Sequence, residues 1–197
     1  MTNRNNTPKY LLLTSNLFIK LLNIFLVILP LISPDLPQFE GKAMGARMIM
    51  YPVAGLLVPL IWYFLSRKSP YPHLIDIIFV LPFVVDSGGN ALNLYNTAPN
   101  FDRFAHLFNW LALTTALGSA VSVLNLNRKI VFSLVLGFGA ITHILWEIGE
   151  FAVMQMGASG LQLTYNDTID DLILSLIGSI IGSVLVTTIF WKAKLIP

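Results

Sequence analysis

"THILWEIGEF", Thr142–Phe151, sets His143, Glu147 and Glu150 inside a strongly apolar segment. At 3.6 residues per turn, spacings of four and three put all three on one face of a helix. The surrounding run is apolar from about 130 to 155, longer than the roughly 20 residues that cross a hydrocarbon layer about 30 Å thick. A carboxylate near the bilayer centre costs roughly 2.5–3.5 kcal/mol on insertion scales. Folds are stable by only about 5–15 kcal/mol, so these acids need partners from other parts of the chain. The stretch predicts a membrane helix with one polar, inward-facing side: Glu147 and Glu150 toward the interior, Ile144, Leu145 and Ile148 toward lipid or packed helices.

The composition agrees. Of 197 residues, 55% are hydrophobic and only 11% charged, where soluble domains carry about 25% charged residues. The chain is therefore read as an integral membrane protein in a lipid bilayer, with no nucleic-acid partner expected and protein partners left open. The absence of cysteine excludes disulfides, thiolate metal sites and cysteine nucleophiles.

Working outward from the opening stretch, apolar windows of spanning length lie near 10–32, 48–66, 73–95, 101–124, 130–155 and 169–191. The first exceeds a signal-peptide core and is read as a retained span. The predicted fold is all-α, one polytopic helical bundle over 1–197 with about six spans. Lysine and arginine set the expected orientation, N-in and C-in. Arg4, Lys9, Arg67, Lys68, Arg128, Lys129, Lys192 and Lys194 fall on the inner side, against Lys42, Arg47 and Arg103 outside. Tyr51, Tyr95 and Trp146 are read as anchors at the outer interface.

That topology gathers the polar residues into one layer. Asp86 and Asn90 lie on the third span, Asp102 and His106 open the fourth, and Asp167, Asp171 and Ser175 open the sixth. Seven of the ten acidic residues fall in or beside the layer, which is hard to obtain by scatter. Asp76 lies apart. Asp102, Asp167 and Asp170 are also placed to cap helices, with Arg103 a possible surface partner for one of them. Pro82 and the pair Gly88–Gly89 suggest irregular backbone in the third span. Gly178 and Gly182 suggest close helix contact in the sixth.

Carboxylates and imidazoles projected inward from several helices are the ingredients of a bundle metal site. Oxygen ligands with one or two histidines suit zinc, manganese, iron or magnesium. The expected ligands are Asp86, His106, Glu147 and Asp171, with Glu150 or His143 as general acid or base. Asn90, Asp102 and Asp167 are further candidates for the polar site. A divalent cation there would support hydrolysis or group transfer on a lipid-linked or amphipathic substrate. The same residues fit an ion, proton or small-solute path, or a register-fixing polar layer in an accessory subunit of a membrane complex. Enzyme status is left open at this point.

At "FDRFAH", "WEIGE" and "YNDTIDDLILSLIG" the sequence resembles the YjdF-like family of predicted bacterial membrane proteins, and it is distantly similar to VanZ-like proteins. The matching positions are Asp102 with His106, Glu147 with Glu150, and Asp167, Thr168 and Asp171, followed by Gly178 and Gly182. The resemblance spans roughly residues 70–185. It implies a multi-pass protein of a prokaryotic plasma (inner) membrane and supplies no reaction.

Overall fold

In hydrocarbon the backbone finds hydrogen-bond partners only within itself, so long apolar runs fold as helices. The computed structural model describes residues 7–124, 126–161 and 163–191, and among them the regular structure is entirely helical. The main helices are α1 (Thr7–Ile32), α2 (Met44–Gly55), α3 (Leu57–Ile61), α4 (His73–Ala91), α5 (Leu94–Thr97), α6 (Phe101–Val121), α7 (Arg128–Gln155) and α8 (Tyr165–Leu185). Six segments have the length and apolarity to span a membrane: Tyr10–Ile32, Met44–Leu65, His73–Ala91, Phe101–Leu124, Arg128–Gln155 and Tyr165–Ile189. Arg4, Lys192 and Lys194, which enter the orientation argument, lie outside the described residues.

The boundaries differ from the expected ones where local chemistry intervenes. The second span begins at Met44 instead of 48, directly after Ala43 in a left-handed conformation (φ 53°). That places Arg47 within the helix, not in a loop. The third span ends at Ala91, because Asn93 adopts φ 60° and turns the chain into α5, which carries Tyr95. Within α4 the helix runs unbroken through Pro82, Gly88 and Gly89, so the expected irregularity is absent there. Of the two glycines only Gly89 is sterically required, since a Cβ would collide with the Phe101 ring.

The sixth span starts at Tyr165, capped by Thr164, whose Oγ1 accepts the Asp167 amide at 3.2 Å. Asp167 is thus a first-turn residue and not the cap. Asp102 likewise sits inside the first turn of α6, after Asn100. Both acids complement the positive end of their helix dipole. Asp170 pairs with Arg103 at 3.5 Å, with both side chains about half exposed, an arrangement of little energetic consequence.

α6 forms the centre of the bundle, packed on α8, α4 and α7, with α1 against α4. The α6–α8 crossing is tight because α8 presents small residues. A Cβ on Gly178 would strike the Leu107 carbonyl, and one on Gly182 the Thr114 hydroxyl. Ser179, Ser183 and Thr187 return their hydroxyls to carbonyls one turn back at 2.7–2.8 Å, so the stripe stays small without stranding polar atoms. Outside this core the surface is apolar: Ile144, Leu145 and Ile148 are 48–59% exposed, whereas Glu147 on the same helix is 7% exposed. The amphipathic reading of "THILWEIGEF" holds.

Asp76, away from the polar layer, is fully buried and engaged from two sides. Lys20 Nζ of α1 lies 2.6 Å away and Asn16 Nδ2 donates to it at 2.9 Å, with the Tyr71 hydroxyl as a third donor. This pair ties α1 to α4 and accounts for the lysine inside the first span.

Candidate metal centre

The first turns of α6 and α8 run side by side, so residues spaced by four on each converge. His106 directs Nε2 at two carboxylates, with Asp171 Oδ2 at 3.7 Å and Asp102 Oδ1 at 3.8 Å. One ligand atom from each of the three lies within 4.8 Å of the others. Two atoms each about 2.1 Å from a zinc ion are at most about 4.2 Å apart. Both measured carboxylate–imidazole distances fit that span, so the cluster could hold a metal ion. His106 and Asp171 are buried, while Asp102 is half-buried at the edge of the group.

The other face of the imidazole is also held. Ser175 Oγ lies 3.1 Å from His106 Nδ1, and Glu147 Oε1 of α7 lies 3.9 Å from it. The Trp110 indole stacks on the ring, with an interplanar angle of 7° and centroids 5.6 Å apart. Trp110 is fixed in turn by donating Nε1–H to Thr142 Oγ1 at 3.1 Å. Neither carboxylate oxygen of buried Glu147 has a hydrogen-bond partner. An orphaned buried carboxylate is costly.

Beside this cluster stands a second, separate arrangement that the sequence reading did not anticipate. Arg47 Nε of α2 donates to Asp86 Oδ2 at 2.8 Å, the Tyr51 hydroxyl to the same oxygen at 2.5 Å, and the Tyr95 hydroxyl to Oδ1 at 2.8 Å. Arg47 also donates to the Lys42 carbonyl, and its Nη2 lies 3.9 Å from Glu150 Oε1. Burial, then the Asp86 charge, pushes the Tyr95 phenol well above its usual range, so it stays a donor. Burial followed by the Arg47 charge lowers the Lys42 ammonium.

The expected residues therefore divide. Of the four expected ligands, His106 and Asp171 lie together, joined by Asp102. Asp86 is placed instead in the arginine pair, with donors on both oxygens, and Glu147 faces the opposite imidazole nitrogen. Glu150, Asn90 and Asp167 line the cavity between the two arrangements, a space of about 160 Å³. His143 is buried against the edge of Trp110, outside the cavity lining, with Nδ1 unpartnered.

Arg47, Tyr51, Tyr95 and Trp110 were missed as site residues. Arg47 and Tyr51 stand four apart on one helical face, a signal hidden by starting the span at 48. Tyr51, read as an interfacial anchor, is 1% exposed, and Trp146 lines the cavity.

No curated protein and no solved structure matches the chain. A family match covers residues 16–192, nearly the whole bundle and every residue of the cluster. The chain belongs to the family described as "Predicted membrane protein (DUF2238)".

Proposed function

We propose that the protein binds a divalent cation through His106 Nε2, Asp102 and Asp171, and uses it on an amphipathic substrate. The observation that carries this reading is the convergence of those three ligand atoms within 4.8 Å. The unpartnered Glu147 carboxylate behind His106 supports it. A metal-bound histidine commonly gives its second ring nitrogen to a carboxylate or other acceptor, which fixes the ring. Ser175 Oγ, 3.1 Å from Nδ1, occupies that position, with Glu147 Oε1 next to it at 3.9 Å, so Ser175 orients His106 and Glu147 stands behind it as a nearby charge and not as a ligand. Zinc, manganese, iron and magnesium remain the candidate ions.

Three protein ligands leave a coordination position open, and a cation there would polarise an ester or phosphoryl oxygen and acidify a bound water. Glu150, lining the same cavity beside Arg47, is the residue positioned to exchange a proton with substrate. We place the protein in a prokaryotic plasma membrane, N-in and C-in, and read its polar motifs as YjdF-like.

Calorimetric titration of metal-stripped protein with zinc or manganese tests the site. One binding event is expected, weakened about 10–100-fold in Ser175→Ala, the usual cost of losing a group that orients a ligand. Unchanged affinity in that variant would overturn the role given to Ser175, and no binding to wild type would overturn the site.

A further inference from the structure

An apolar groove of about 120 Å³ between α2 and α7 adjoins the polar cavity and shares part of its lining. Ala46 and Met50 form one wall, and Leu145, Gly149 and Val153 the other. Met50 and Leu145 are exposed on the apolar outer surface, so the groove opens where lipid chains would lie. Arg47, Trp146, Glu150 and Leu161 line both spaces and form the junction. α2 packs on α1 and α4, and among the described residues its approach to α7 leaves this channel.

We propose that the groove seats a hydrocarbon chain of a phosphate-bearing lipid whose head group enters the polar cavity sideways from the bilayer. The inference rests on the cation reading for the head-group end and on the groove itself for the chain. An apolar channel opening on lipid and ending among charges matches a molecule that is apolar at one end and ionic at the other. Phosphate oxygens would meet donors at the junction in Arg47 Nη2, which lies 3.9 Å from Glu150, and in Lys42 beside it, while a cation on Asp102 and Asp171 would offset the carboxylates that line the same cavity. A guanidinium is well suited to phosphate oxygens, and a cation on His106, Asp102 and Asp171 would supply a further electrophile. Free phosphate would use the cavity but leave the groove without an occupant.

Gly149 makes the idea testable. A Cβ there meets nothing within 4 Å, and the same holds for Gly137 on the same helix, which does not line the groove. A Cβ is therefore free of clashes at either position and leucine favours the helix over glycine, but only Gly149→Leu extends into the groove.

The experiment measures dioleoyl phosphatidic acid retained by the intact protein in native mass spectrometry from detergent, with inorganic phosphate as a parallel probe and metal content read on the same samples. Wild type and Gly137→Leu are expected to retain the lipid equally, and Gly149→Leu about tenfold less, the effect of displacing a few buried methylenes. Phosphate retention should be the same in all three. Equal lipid retention by Gly149→Leu at unchanged metal content would overturn the groove and leave the cation site standing. An equal loss in Gly137→Leu would also overturn it. Metal-free wild type would count against the cation reading alone, because the groove is judged by the lipid ratio between variants.

Discussion

Arg47→Ala is expected to cost about 3–5 kcal/mol of stability, the usual penalty for stranding a buried charge. Asp86 is 6% exposed, and among the described residues its cationic partner is Arg47 and its other donors are the Tyr51 and Tyr95 phenols. Truncating the arginine leaves a carboxylate facing two neutral hydroxyls inside the bundle. It also frees the Lys42 carbonyl and Glu150 from their shared donor. Denaturant or thermal unfolding in mild detergent reads the loss. Removing both charges in Arg47→Met/Asp86→Leu should recover most of it, since no unpaired ion then remains. A single variant as stable as wild type would mean that the pair does not hold α2 against α4.

Gly178→Leu is expected to be of similar severity by a different mechanism, costing about 3 kcal/mol or more, at or above the upper end of ordinary overpacking. A side chain there meets the Leu107 carbonyl oxygen and the Leu111 amide nitrogen of α6. Backbone does not rotate aside as a side chain does, so α6 and α8 must separate. Separation draws Asp171 and Ser175 away from His106, so cation affinity should fall together with stability. Gly149→Leu, facing open space, should unfold like wild type. If both glycine variants unfold alike, the small-residue stripe is not what sets the α6–α8 distance.

The sequence carried the spans and the inward face of α7 because both rest on strong physical signals. Twenty apolar residues have one economical fold in lipid, and ionisable groups spaced by three and four have one common face. The pairing of His106 with Asp171 was legible for the same reason, since each sits near the start of a span entered from the same side. What stayed hidden depended on distances between helices. Nothing in the spacing of Asp86 distinguishes a metal ligand from an arginine partner until α2 is seen to start at Met44 and carry Arg47 inward. Glu147 and Asp102 exchanged expected prominence because the two nitrogens of His106 face different carboxylates, which depends on how the ring is turned. The partner of Lys20 in the first span is likewise visible only in three dimensions, because Asp76 stands 56 positions along the sequence.

The most direct measurement is the metal content of purified protein, wild type beside His106→Ala and Asp171→Asn, by inductively coupled plasma mass spectrometry after growth in metal-replete medium. Near-stoichiometric divalent metal is expected in wild type. Its loss is expected in both variants, with monodisperse elution and unchanged helical circular dichroism in all three. Folded wild-type protein free of metal, or variants that retain it in full, would contradict a cation site at Asp102, His106 and Asp171.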